Sequence, residues 1–235
     1  MGNIYSTRDK AMIIGLYLSR FDVLGLNELG FDGFFHAYNV LGYSIGVAPK
    51  SIRGYRDEFD PFFPNERKGW HNRALRPNRK EMMDALASLS FAEFTELIKG
   101  FTIPYHDSER EFHMADTKDA SNSVAKRLAT GVAAEEYFKI NYREAVEFTG
   151  FELADTRMLA CGFDFKLSSP SKYFYVEVKG ISLKTGNIAL TEKEYDVASE
   201  YRDKYCLFVV RNFIESPTHD VFFNPLDCRL EFSRK

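Results

Sequence analysis

A chain of 235 residues suits one large domain or two small ones. It is 45% hydrophobic and 15% aromatic, enough to build a core, and its net charge of -3 neither demands nor forbids a polyanionic partner. Three cysteines, Cys161, Cys206 and Cys228, are too few and too scattered for a disulfide framework or a zinc site. No run approaches the ~20 apolar residues of a membrane span, and the opening MGNIYSTRDK lacks the apolar core of a signal peptide. A cytoplasmic setting without a membrane partner is expected.

From the N-terminus, STRDKAMIIGLYLSRFD begins on a Ser6/Thr7 cap and repeats its apolar residues at helical spacing. LNELGFDGFFHAYNVLGYSIG reads as a second helix closed by glycine, and APKSIRGYRDEF as a third with Pro49 in its first turn. EMMDALASLSFAEFTELIKGF supplies one or two more. Residues 1–103 therefore form a mostly helical, helix-turn-helix-like domain. The polar stretch at 104–121 lacks periodicity and is expected to be a linker. Residues 122–235 follow as a second domain. VAKRLATGVAAEEYFKINYREA is a helix, EFTGFELADTR, GFDFKLSS and KYFYVEVKG are strands, TEKEYDVASEYRDKY is a helix, and CLFVVRNF is a strand. That order makes the second half mixed α/β.

Lys50 to Lys80 holds nine Lys or Arg against four acidic residues, a local excess in a chain of net negative charge. Such residues meet phosphate backbones, and arginine matches guanine edges in the major groove. The candidate contacts with double-stranded DNA are Lys50, Ser51, Arg53, Arg56, Arg67, Lys68, His71, Arg73 and Arg76. Ser51, Arg53 and Arg56 are expected along the exposed side of the third helix, the one a helix-turn-helix lays in the groove. Against this, RDEFD interrupts the run with acid, and a short basic helix is commonly just solvated. Trp70, Tyr55, Phe59, Phe62 and Phe63 are read as packing residues.

The strand YFYVEVKG raises a sharper question. Alternation puts Phe174, Val176 and Val178 on one face and Tyr175, Glu177 and Lys179 on the other. A Glu-x-Lys pair on a strand is usually a cross-strand ion pair of small consequence. What lifts this one is Asp164, thirteen residues earlier in GFDF, and Glu135 on the preceding helix. Asp164 and Glu177 offer the hard oxygens that magnesium takes, with the Val178 carbonyl as a further ligand and manganese as a substitute ion. Lys179, ~7 Å along the strand from Glu177, would orient a water or stabilise a pentavalent phosphate. Glu135 would take a second ion or assist through water.

GFD, VEVKG and LTEKEYDVASEYRDKYCLFVVRN together resemble the PD-(D/E)xK nuclease superfamily, and more narrowly the NO VEIN C-terminal nuclease-like domain. The resemblance spans about 122–214, with GVAAEEYF at the helix position. It implies a four-stranded mixed sheet flanked by helices, restriction-endonuclease-like, and magnesium-dependent phosphodiester hydrolysis. Asp164, Glu177 and Lys179 fall on its core motif, Glu135 on its helix glutamate with Glu136 as neighbour, and Glu194 on a later glutamate. Phe163 stands where the family usually has proline. The implied protein is a DNA endonuclease of restriction or phage-defence type, acting as a homodimer on a palindromic site. The alternatives are a DNA-binding regulator on a nuclease-like scaffold, or a repair or RNA nuclease. No Walker loop, GxGxxG, nucleophile elbow or paired-histidine zinc site is present.

Overall fold

The computed structural model describes residues 5–65, 74–102 and 118–228. The chain divides into two units, Met1–Ala133 and Ala134–Lys235. The expected linker lies largely outside the described residues, as do Arg67, Lys68, His71 and Arg73.

In the first unit, α1 (Thr7–Glu28) starts at Ser6. The Ser6 hydroxyl accepts from the Asp9 amide, while the Asp9 carboxylate accepts from the Ser6 amide, forming a capping box. The buried run Ala11 to Ser19 covers every face of the helix, so α1 is enclosed by its neighbours. It does not end near Asp22 as the sequence predicts. Asp22 breaks the helical geometry at φ 45° and the helix resumes to Glu28; the Asp22 carboxylate accepts from Arg56 Nη2 at 3.0 Å. Helices α2 (Phe34–Ser44) and α3 (Pro49–Phe59) are joined by a short turn, 45–48. Helix α3 crosses α1 so closely that a Cβ on Gly15 would stand 2.5 Å from Tyr55 Cβ and 2.9 Å from the Arg56 amide nitrogen. Only glycine fits there. Helices α4 (Pro77–Ala85) and α5 (Phe91–Thr102) follow, and Thr95 of α5 shares a 2.8 Å hydrogen bond with the buried Tyr17 hydroxyl of α1.

Helix α6 (Lys118–Asn141) carries the chain into the second unit, which is a five-stranded sheet between helices. Strands β1 (Glu152–Asp155), β2 (Phe165–Ser168), β3 (Tyr173–Gly180), β4 (Tyr205–Arg211) and β5 (Thr218–Phe223) pair in sequence order. Only β3 and β4 run parallel, and the crossover between them carries α7 (Glu192–Tyr201). Phe138 of α6, wholly buried, meets Phe165 at 4.9 Å and Phe208 at 4.8 Å on one face of the sheet. Tyr201 of α7 meets Tyr175 at 4.6 Å on the other. Burying each such ring contributes about 1.5–3 kcal/mol, so the phenylalanine cluster under α6 is a substantial part of this unit's core. The mixed α/β class and the helical first half agree with the sequence. Strand β5 was not expected, since THDVFF opens on three polar residues; its register against β4 supplies what its pattern lacks.

Candidate functional site

The faces of β3 follow the expected alternation. Phe174 joins Phe148, Phe151 and Phe223, while Tyr175, Glu177 and Lys179 turn toward α7. Glu177 is only 4% exposed, which for a carboxylate is costly unless something answers its charge. Lys179 does: its Nζ lies 2.7 Å from Glu177 Oε1 and 2.7 Å from Glu194 Oε2. Glu194 is fixed in turn by the capping box of α7, where its carboxylate accepts from the Thr191 amide at 2.9 Å. One ammonium thus ties the strand to the start of the helix.

Asp164 stands just before β2. Its amide donates to the Val176 carbonyl at 3.0 Å, and its Oδ2 accepts from the Val178 amide at 2.8 Å. Those two bonds hold Asp164 beside Glu177 across a single strand step. The loop that delivers it is pinned at Gly162, whose φ of 89° and whose contact with α7 exclude a side chain: a Cβ would meet Val197 Cγ2 at 2.7 Å. Asp164, Glu177, Glu194, Phe163, Gly162 and Arg157 line one cleft. Burial, then the charge of Glu135, pushes the Asp164 carboxyl up to about 7 against the pull of the Val178 amide. Burial and the charge of Asp164 hold Glu177 well above the ordinary carboxylate range. Burial alone would lower Lys179, but Glu177 and Glu194 outweigh it and hold its ammonium above its ordinary value. Negative charge is crowded into a desolvated place, with the Lys179 ammonium set against Glu177 and Glu194, and Lys193 and Arg157 on the cleft wall.

Glu135 comes to the edge of this cleft from α6, as expected, but it is engaged there. Arg157 Nη1 lies 2.8 Å from Glu135 Oε2, and Nη2 lies 3.0 Å from Glu136 Oε1 and 2.6 Å from Asp155 Oδ2. The same guanidinium sits over the Phe165 ring at 5.2 Å. Arg157 carries no signal in the sequence, because it lies in a short turn after β1 and meets Glu135 only through the fold.

The donor set suits magnesium. Among the described residues no three Asp, Glu, His or Cys side chains converge as a metal group, yet Asp164 and Glu177 face one cleft. Strand alternation turns the Val178 carbonyl to the same edge as its amide. One or two carboxylates, with water or phosphate oxygens completing the shell, is how magnesium is commonly held.

The candidate DNA-binding residues of the first unit separate by exposure. Lys50 and Arg53 of α3 are exposed, Arg53 within 3.9 Å of Asp57, and Ser51 is half-buried. Arg76 is exposed, 3.5 Å from Glu58. Arg56 does not lie on the exposed side of α3. It is 5% exposed, donates to the Tyr38 hydroxyl at 2.6 Å, pairs with Asp22 and stacks 3.3 Å from the Phe34 ring centroid. Its guanidinium is spent inside the helical unit.

A mixed sheet with an acidic cleft, a lysine beside it and a helix on each face defines the second unit. Residues 134–223 match the model of the family described as Protein NO VEIN, C-terminal. That stretch starts with the second unit and ends with β5. It reaches beyond the expected 214 and omits the early turns of α6. No curated protein and no solved structure matches the chain.

Proposed function

We propose that the second unit is a magnesium-dependent endodeoxyribonuclease of restriction or phage-defence type. The reading rests on one observation: Asp164 and Glu177 line a single cleft, Asp164 held there by the Val178 amide, and the Lys179 ammonium stands 2.7 Å from Glu177. In it, Asp164, Glu177 and the Val178 carbonyl hold the ion, and manganese substitutes. A bound magnesium supplies positive charge against the phosphate. Lys179, held in place by Glu194, orients the attacking water and stabilises the charge that develops on phosphorus oxygens. Glu135 holds the Arg157 guanidinium at the cleft edge. In the first unit, Lys50, Ser51, Arg53 and Arg76, with Arg67, Lys68, His71 and Arg73 beyond the described residues, contact the phosphates and bases of duplex DNA. Cutting both strands at a palindrome calls for a homodimer.

The regulator reading draws on a different observation, the engagement of Glu135 by Arg157 and of Lys179 by two carboxylates, which is also how a retired site would be neutralised. Digestion of methylated and unmethylated phage DNA with magnesium decides between them. Discrete fragments are expected from the wild type, and Asp164→Asn and Lys179→Ala should each cut about 10²–10³-fold more slowly. Duplex, single-stranded and RNA substrates all left intact with magnesium or manganese, while DNA is still shifted on a gel, would establish the regulator.

A further inference from the structure

Next to the cleft, the same face of the sheet changes character. Tyr173 and Tyr175 stand two residues apart on the Glu177 face of β3, their ring centroids 5.3 Å apart. Tyr201 meets Tyr175 edge-on, and Phe163, which lines the cleft, lies 4.3 Å from Tyr175. The rings therefore run without a gap into the carboxylate site. Lys166 is the register partner of Tyr175, which puts it on this face, and its Nζ lies 5.4 Å from the Tyr173 ring centroid. Lys204 Nζ lies 4.6 Å from the same ring and donates to the Tyr173 hydroxyl at 2.9 Å. The opposite face of the sheet is packed with buried phenylalanine, whereas these tyrosines are half-exposed and Lys204 is exposed.

We propose that this tyrosine–lysine surface is a track for an unpaired nucleic-acid strand leading into the cleft. Aromatic platforms bind bases by their π-faces, which a duplex keeps stacked inside itself and only a single strand offers. The ring faces here are covered by ammonium groups, the other partner such faces take. A base that stacks on Tyr173 frees Lys166 or Lys204 for the adjoining phosphate, so the surface matches a strand in both its apolar and its anionic parts. Tyr173 lies about 13 Å from Glu177 at the rise of a strand, room for a few nucleotides before the cleft. The direction of the strand into the cleft rests on the nuclease reading; the binding itself does not.

The test is fluorescence anisotropy of the full chain in EDTA, so that no cleavage intervenes. The probes are a labelled oligothymidylate, the matching oligouridylate and a duplex of the same length. Tyr173→Ala, Tyr175→Ala and Tyr201→Ala should each weaken strand binding on the order of tenfold. Lys166→Glu with Lys204→Glu should weaken it similarly and flatten the salt dependence by roughly one to two logarithmic units of slope. Duplex binding should stay within about twofold in all of these, and Tyr173→Phe, which keeps the ring, should keep strand binding. Circular dichroism verifies folding, and the lysine pair, at the surface, answers the question should a tyrosine variant unfold. Loss on both strands supports a track blind to the sugar; loss on one supports the track and names its strand. Strand affinity unchanged in the lysine variant, or duplex affinity falling equally, overturns the track and marks the cluster as surface packing only. That overturning leaves the nuclease reading intact if the wild type still cuts DNA. Conversely, strand binding lost in the variants of a protein that cuts nothing keeps the track and removes the nuclease.

Discussion

Lys179→Met gives the clearest energetic test of the cleft. Glu177 is 4% exposed and Lys179 is its ammonium partner at 2.7 Å, so the substitution leaves a buried carboxylate facing Asp164 and Glu194 without its cation. Breaking one side of a buried pair costs roughly 3–5 kcal/mol. The Lys179 side chain keeps 21% of its surface in water, which places the expectation at the low end, about 3 kcal/mol. For a unit of this size, that is a fall of roughly 12–20 °C in its melting temperature. The chain's single tryptophan belongs to the first unit's sequence, so hydrogen exchange of β3 and β4 peptides reports the second; their slowest amides should exchange about a hundredfold faster. Glu177→Gln keeps the Lys179–Glu194 pair and should cost only about 1 kcal/mol. The double variant should cost about 2 kcal/mol, well under the sum, giving a coupling of about 2 kcal/mol. A loss below 1 kcal/mol for Lys179→Met, or strict additivity in the double variant, would refute the argument that this lysine neutralises the buried glutamate.

Two further outcomes concern the first unit. Arg56→Met should lower its stability by about 2–4 kcal/mol, because Asp22 and the Tyr38 hydroxyl lose a buried donor. Lys50→Ala and Arg53→Ala, both on exposed side chains, should stay within about 0.5 kcal/mol in urea melts followed by circular dichroism; equal losses for all three would contradict the burial of Arg56. His36 is 1% exposed, with Asp32 3.3 Å from Nδ1 and Lys126 also beside Asp32, and burial lowers its pKa. A histidine whose folded value is depressed gives stability that is complete above its unfolded value of about 6.5 and is lost as pH falls through the folded one. The urea midpoint of the wild type should therefore drop below pH 6.5 more steeply than that of His36→Phe, and parallel profiles would rule the histidine out as the cause.

What the sequence disclosed and what it withheld divide along a physical line. The Ser6 cap and the two faces of β3 depend on local propensity or strand alternation, which are written in neighbouring residues. Asp164 beside Glu177, thirteen positions apart across the pairing of β2 with β3, is legible through the order of the GFD and VEVKG motifs. The grip of Arg157 on Glu135 joins positions far apart in the chain, and the break at Asp22 is secured by Arg56 on another helix. Neither has a local signature. Arg56 is a different kind of failure, for the signal was present. Ile52, Arg56 and Phe59 fall at i, i+4 and i+7, the spacing of a buried helical stripe, and all three are buried. Reading charge as exposure overrode the period.

The cleft also shows why its carboxylates are hard to account for as stabilisers. Glu177 could be replaced by a residue of similar shape without a charge, and an apolar core at that point would avoid the desolvation that holds its carboxyl, and that of Asp164, above the ordinary range. The fold instead invests a lysine, a capping glutamate and a strand amide in keeping these two groups adjacent. Structural ion pairs perturb titration too, but they gain from partners of opposite sign, and here two of the nearest neighbours of Glu177, Asp164 and Glu194, share its own. Like charges brought together under burial need a further cation or a proton to reach their lowest energy. A proton can meet that need, as the raised carboxyls show; the proposed nuclease reading has a divalent ion at Asp164 and Glu177 meet it instead. It predicts that magnesium, added to the uncleaving protein without nucleic acid, raises the melting temperature of the second unit, and that Asp164→Asn abolishes the rise.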